Sequence, residues 1–355
     1  MKSFNYNVNP ARIVFGEGRT AELAGEMSRL NASRALVITT EAQKANGDAL
    51  LSQLGSMGGT LFSGAVMHTP VEITARAMGV LQANSCDCLV ALGGGSTIGL
   101  AKALAVRTGL PQIAIPTTYA GSEVTPVLGE TENGVKTTRT ADLILPKVVI
   151  YDVLQTLSLP PLVSASSALN AIAHAAEALY SQEANPIISL MAEEGIAALV
   201  RSLDDILADP RNLEARSQAQ YGAWLCGTCL GSVGMALHHK LCHVLGGTFN
   251  LPHAETHAII LPYSLAYNAA AAPEAMRILS RALGVADRPW IALHELLHRL
   301  GLPSSLAAIG MPENGIDRAV ELSLQARYWN PRPLEAEPLR KLFQAALVGE
   351  MPSVF

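Results

Sequence analysis

Cys88-Leu89-Val90-Ala91-Leu92-Gly93-Gly94-Gly95-Ser96-Thr97 is an apolar run that ends in three glycines and two hydroxyls. A short, continuous apolar run is the pattern of a parallel strand covered on both faces. A helical period follows, from Ile98 to Val106. Strand, glycine turn and helix start in succession gather backbone amides around one point. Glycine admits positive φ and close backbone approach, and the positive end of a helix favours a phosphate. Ser96 and Thr97 add hydroxyl donors. The spacing is not G-x-G-x-x-G, so this is no ordinary Rossmann fingerprint. A tight turn that holds no ligand is the competing reading.

Working outward, Ala35 to Thr39, Gln112 to Ile115 and Val148 to Tyr151 are further short β-branched runs, and Glu72 to Asn84 has a helical period. The alternation predicts a βαβ sheet. A second loop, Pro116-Thr117-Thr118-Tyr119-Ala120-Gly121-Ser122-Glu123, follows its own strand, with hydroxyls and a glycine suited to a pyrophosphate, a nicotinamide ribose or a substrate. Two such loops at strand C-termini point to one crevice. Leu159-Pro160-Pro161 then breaks the pattern. Beyond it come helical periods at Ser164 to Tyr180, Pro186 to Leu207, Leu213 to Leu237 and Trp290 to Leu300. The reading is an α/β dinucleotide-binding domain over 1–159 and an all-α domain over 160–355, with the active site in the cleft between them.

Hydrophobic residues make up 49% of the 355 and charged residues only 15%, so much of the chain is destined for a core or a subunit contact, and a homodimer is expected. The net charge of −5 offers no basic footprint for nucleic acid or anionic lipid. The uncharged stretch Tyr221 to Leu237 is short for a membrane span and carries four glycines, which suits a helix buried in a bundle. Met1 to Pro10 has no apolar signal core, and a cytoplasmic enzyme is expected. The five cysteines are too few and too odd in number for a disulfide scaffold; Cys226 and Cys229 are read as buried structural thiols despite their C-x-x-C spacing.

The histidines carry the second signal. Asn170 and His174 lie one helical turn apart, as do His239 and His243; His253 follows a break, with His257 four residues on. Imidazoles from three segments can converge on one cleft, where they would bind a divalent cation or act as acids and hydrogen-bond donors.

Together these motifs resemble the iron-containing (group III) alcohol dehydrogenases. The resemblance runs from Ile13-Val-Phe-Gly-Glu-Gly18 through Gly93-Gly94-Gly95-Ser96 and the Pro116 to Glu123 loop into the helical region. It implies the dehydroquinate-synthase-like fold of that family, with the nucleotide on the α/β domain. The family's metal positions, an Asp and three further ligands, fall here on Asn170, His174, His239 and His253. The asparagine replaces the only carboxylate, and a hard cation loses its anionic ligand. No metal is expected, although three imidazoles suffice for zinc. That replacement, the form of the second loop and Asn330-Pro331-Arg332-Pro333 resemble the branch that reduces the C=C bond of an unsaturated keto-diacid, maleylacetate, to 3-oxoadipate during aromatic-compound degradation.

For such a reaction the resemblance implies phosphate contacts at Gly93, Gly94, Gly95, Ser96 and Thr97, with Thr117, Thr118, Tyr119 and Ser122 nearby and Lys136 at the nicotinamide ribose. At the end of the Ala35 to Thr39 strand, NAD-specific relatives carry an Asp that excludes a 2′-phosphate. Thr40 stands there, so use of both NADH and NADPH is expected. Reduction of an enone needs donors aimed at the ketone oxygen and a proton for the α carbon. His243 is the first choice for the proton, His174, His239 and His253 for the ketone or a carboxylate, and Lys240 and Arg332 for the carboxylates of a small anionic substrate. A metal-dependent alcohol dehydrogenase, a dehydroquinate-synthase-like cyclase and a non-catalytic nucleotide sensor are the alternatives.

Overall fold

The computed structural model describes residues 4, 6, 11–132, 135–325 and 328–355, with the side chains of Val135 and Lys136 outside that description. The chain divides into two compact units between Leu159 and Pro160.

The first unit contains β1 (Arg12–Phe15), β2 (Ala35–Ile38), β3 (Gly58–Phe62), β4 (Cys88–Gly93), β5 (Gln112–Pro116), β6 (Val127–Glu132), β7 (Val135–Thr140) and β8 (Val148–Tyr151). Its helices are α1 (Leu23–Arg29), α2 (Lys44–Leu54), α3 (Val71–Ala83) and α4 (Gly95–Thr108). Six strands form a parallel sheet in the order β1-β8-β5-β4-β2-β3, and β6 and β7 make a separate antiparallel hairpin. Every residue of β2, β4, β5 and β8 is buried, the two-sided coverage that their unbroken apolar runs require. The edge strands β1 and β3 are more exposed and carry weaker signals. In β3, Gly59 is demanded by close approach: a Cβ there would lie 2.6 Å from the Ala35 carbonyl oxygen. From β2 the chain winds outward to β3, then returns to β4 on the other side and proceeds to β5 and β8. The strand order therefore reverses between β2 and β4. That is a topological switch point, where open α/β sheets bind ligands at the C-terminal strand ends.

The second unit is helical, with no strand among its described residues. It contains α5 (Pro161–Ala178), α6 (Pro186–Ala208), α7 (Leu213–Gly231), α8 (Leu237–Phe249), α9 (His253–Asn268), α10 (Pro273–Leu283), α11 (Pro289–Arg299), α12 (Ile316–Gln325) and α13 (Ala336–Val348). α5 is buried from Ser164 to Ala178 and packs against α6, α7 and α9, which its run of Ala and Ser permits. Asn185 caps α6 by accepting from the Ile187 and Ile188 amides. At the α6–α7 contact a Cβ on Gly222 would lie 2.8 Å from the Gly195 carbonyl oxygen, so glycine sets how closely the helices meet.

One expectation needs correction. Leu213 to Leu237 is not one helix: α7 stops at Gly231 and α8 starts at Leu237. The glycines that make the stretch apolar and small also end the helix, and the break frees α8 to set its histidines on a new axis. No described helix is long and apolar enough to cross a membrane. None of the five cysteines forms a disulfide, and all five are buried. Burial pushes the Cys229 thiol up to about 12 and holds Cys226 well above its usual range, so both are unreactive packing groups.

Candidate active site

At the C-terminal end of β4, Gly93 has φ of +155°, a conformation closed to L side chains, and a Cβ there would lie 2.4 Å from Thr97 Oγ1. Gly94 is equally constrained: its Cβ would fall 2.7 Å from Thr118 Cγ2. Gly95 is different, being exposed with open space where a side chain would stand. No side chain caps α4, which begins at Gly95. The turn thus presents uncapped amides at a helix start, on the side left clear, and these suit a phosphate. Thr40 ends β2 on the other side of the switch point and is half-buried.

The second loop is bonded to this turn. The Thr117 amide donates to the Gly93 carbonyl at 3.2 Å, and Gln43 Nε2 donates to Thr117 Oγ1 at 3.0 Å. Ser122 meets the Lys102 ammonium with its carbonyl at 2.5 Å and its hydroxyl at 3.4 Å. Lys102 is buried, and burial draws it down to about 7 against the opposing pull of Glu123. Glu123 is itself raised by burial, an effect eased by the Tyr151 hydroxyl, which donates to it at 2.7 Å. Thr97 and Tyr119 are fully buried, so they shape the turn and the loop from within and do not line a ligand surface as expected. The side chain of Lys136 lies outside the described residues.

In the helical unit, α5, α8 and α9 bring six imidazoles together. The His174 ring stacks on His239, with centroids 5.1 Å apart, and the His257 ring lies 5.1 Å from His239 and 4.4 Å from His253. His243 stands one turn beyond His239, its ring 6.3 Å away, and is half-buried. Beneath them is Glu177, a buried carboxylate that sequence reasoning overlooked. It accepts the His238 amide at 2.8 Å and makes a short contact with His239 Nδ1. The signal was present: Asn170, His174 and Glu177 are spaced i, i+4 and i+7 along α5, a single helical stripe.

His238 is the inner wall. Its ring bonds to Ser264 Oγ at 3.1 Å and to His257 Nδ1 at 3.0 Å. Burial first, then the neighbouring imidazoles, holds both His238 and His257 well below the usual histidine range, so both are neutral. His238, Cys242 and His257 offer ligand atoms within 4.8 Å of one another, but both His238 nitrogens are already hydrogen-bonded, and the trio is a bonded core. Three atoms of the cluster are buried with no hydrogen-bond partner: Asn170 Oδ1, His239 Nε2 and His257 Nε2. Buried polar atoms left so in a native fold call for a ligand.

Comparison with known proteins then decides the family. The profile "Iron-containing alcohol dehydrogenase" matches residues 10–153, and "Fe-containing alcohol dehydrogenase family, C-terminal" matches 164–347. The chain belongs to the iron-containing alcohol dehydrogenase family. It is an oxidoreductase of that family. A maleylacetate reductase of Rhizobium sp. (strain MTP-10005) is 53% identical over 352 residues, spanning 99% of this chain and all of the relative. The crystal structure of maleylacetate reductase from Agrobacterium tumefaciens superposes with a TM-score of 0.95 at 53% identity, covering 99% of this chain and 100% of that one. A putative alcohol dehydrogenase from Ralstonia eutropha JMP134 superposes with a TM-score of 0.97 at 54% identity, over 99% and 100% of the two chains. Enzymes of this iron-containing family use a nicotinamide cofactor, and the open turn at Gly95 fits its pyrophosphate.

The family's metal fits this site less well. The donors at its four positions are three imidazoles and the Asn170 amide, all neutral as ligands. Glu177, the carboxylate that the described residues place in the cluster, is committed to the His239 ring and the His238 amide. A hard divalent cation finds no anionic oxygen among them.

The remaining predicted residues separate. Lys240 is half-buried, next to His239 but about 100° around α8 from it, and burial lowers its pKa. Arg332 is engaged elsewhere. It donates to the Tyr267 carbonyl at 3.0 Å and contacts the Phe355 carbonyl, with its guanidinium 4.2 Å from the Tyr267 ring centroid. Tyr267 is ten residues beyond His257 along α9, roughly 15 Å of helix rise. Arg332 anchors the C-terminal segment there, and its expected contact with a substrate carboxylate is withdrawn.

Proposed function

We propose that this protein reduces the C=C bond of maleylacetate to 3-oxoadipate at the expense of NADH or NADPH, without a metal. The observation that carries the reading is the group of imidazoles at the family's metal positions, two of them buried, with a neutral amide in place of the carboxylate. Oxidation of an alcohol requires the hydroxyl proton to leave with the hydride, and a metal assists by lowering the pKa of that hydroxyl. Reduction of an enone needs donors for a developing enolate and a proton.

NAD(P)H, when bound, supplies the hydride. Gly93, Gly94, Gly95 and Ser96 would hold its pyrophosphate, with Thr117, Thr118 and Ser122 beside them and Thr40 toward the adenosine ribose. Thr40 is neutral, so a 2′-phosphate there meets less repulsion than an aspartate at that position would give. Negative charge grows on the ketone oxygen as the carbon β to it is reduced, and His174, His239 and His253 are assigned to that oxygen or to a carboxylate. Glu177 serves by holding the Nδ1 side of His239, which leaves Nε2 to face the substrate. Asn170 presents a side-chain amide to the same space; its two ends exchange by rotation, so it can donate to an anion. His243 delivers the proton to the α carbon, and Lys240 adds positive charge for a dianion. Low charge content, with Leu162 and Leu190 exposed on α5 and α6, favours a homodimer, and the net charge of −5 gives no basic footprint for nucleic acid or anionic lipid.

The test is loss of NADH absorbance with freshly generated maleylacetate, beside simple aldehydes, before and after chelation. Turnover of maleylacetate that a chelator leaves intact is expected. Chelator-sensitive turnover confined to aldehydes would replace this reading with metal-dependent alcohol oxidation.

A further inference from the structure

Lys102 belongs to no part of the chemistry above, yet its side chain is 1% exposed and surrounded by acceptors. Its ammonium meets the carbonyl oxygens of Ser122 at 2.5 Å, Thr125 at 2.9 Å and Val127 at 3.0 Å, and the hydroxyls of Thr125 at 3.0 Å and Ser122 at 3.4 Å. An ammonium has three donors and no acceptor, so a cage with three carbonyl oxygens at this range suits the protonated side chain. No carboxylate forms an ion pair with it among the described residues; the nearby Glu123 takes the Tyr151 hydroxyl instead. The arrangement is that of a monovalent cation bound by backbone oxygens, with the cation supplied by the chain.

Its position gives this cage a purpose. Lys102 lies seven residues, about two turns, beyond Gly95 on α4, the helix whose start is the glycine turn. The loop it grips returns to the same turn, through the Thr117 amide on the Gly93 carbonyl and the Thr118 methyl against Gly94. Helix and loop thus form a closed ring with two fastenings, one at the turn and the other at Lys102. We propose that Lys102 is a positioning residue for the dinucleotide, an internal cation that holds the Thr117–Val127 loop against the glycine turn. This rests on the reading that the turn takes the pyrophosphate.

The experiment is NADH fluorescence titration and steady-state kinetics on the full-length protein and on Lys102→Met, Lys102→Arg and Lys102→Ala. NADH binding by the parent checks the underlying reading by itself; a parent that binds none refutes the site and not merely the role of Lys102. With parent binding established, Lys102→Met should raise the NADH Kd about tenfold or more, and the KM for NADH by more than kcat falls. A purely architectural lysine would lower the melting temperature and leave the NADH Kd of the folded fraction unmoved. Ethylammonium chloride should restore NADH affinity to Lys102→Ala by refilling the cage, whereas tetramethylammonium at equal ionic strength should not. Should the Met and Ala variants fail to fold, Lys102→Arg decides: its wider head keeps the charge but cannot occupy the same point among the oxygens. An Arg variant with parental NADH affinity overturns the proposal, as does a folded Met variant with parental affinity.

Discussion

Gly95→Ala separates the cofactor cradle from the fold. The structure leaves open space where the new methyl would stand, and Gly95 has no positive φ, so alanine fits the backbone unchanged. Alanine is the better helix former by up to about 1 kcal/mol, so stability should stay level or rise slightly. The same methyl would occupy the clear side of the α4 start, where a phosphate oxygen is to meet the backbone amides. Loss of one hydrogen bond to a charged group costs roughly 1.5–3 kcal/mol, which is about ten- to a hundredfold in Kd. Gly93→Ala should behave in the opposite way. Its φ of +155° and the 2.4 Å approach to Thr97 Oγ1 make it a folding defect, with backbone strain alone costing about 1–3 kcal/mol. NADH fluorescence titration and thermal unfolding on both variants would show the contrast. A Gly95→Ala protein that keeps both its melting temperature and its NADH affinity would refute a phosphate at this turn.

Other outcomes follow from the imidazole cluster. Replacing Glu177 with Gln should lower kcat by about a hundredfold or more through loss of the carboxylate that orients His239, while NADH affinity stays parental; equal kcat would remove Glu177 from the mechanism. Asn170→Asp should gain affinity for zinc or iron, read by metal analysis after dialysis, and a variant no richer in metal than its parent would undo the mapping of the family's positions. His238 and His257 are held well below the usual histidine range in the fold, so the unfolded chain binds their protons first as pH drops below about 6.5. The stability they contribute is complete above that pH and is lost as pH falls toward their folded values, by at most about 1.4 kcal/mol per group per pH unit. The melting temperature of the parent should therefore decline more steeply from pH 7 to 5 than that of His257→Gln, and parallel curves would contradict the assignment.

Local chemistry was readable along the chain. The unbroken apolar runs of β2, β4, β5 and β8, the glycines after β4 and the i, i+4 pairs Asn170/His174 and His239/His243 depend on near neighbours, where strand and helix periods determine which side chains share a face. Those patterns were enough for the fold class, the glycine turn after β4 and the identity of most imidazoles. What required the tertiary structure was every relation between distant segments. Glu177 matters because the fold brings His239 of α8 onto it, a contact 62 residues apart in sequence. Lys102 looks like any helical lysine until the returning loop closes around it, and Arg332 looks like a substrate anchor until the C-terminal segment is seen packed on Tyr267. A buried charge is defined by what surrounds it, and those surroundings come from parts of the chain that only folding brings together.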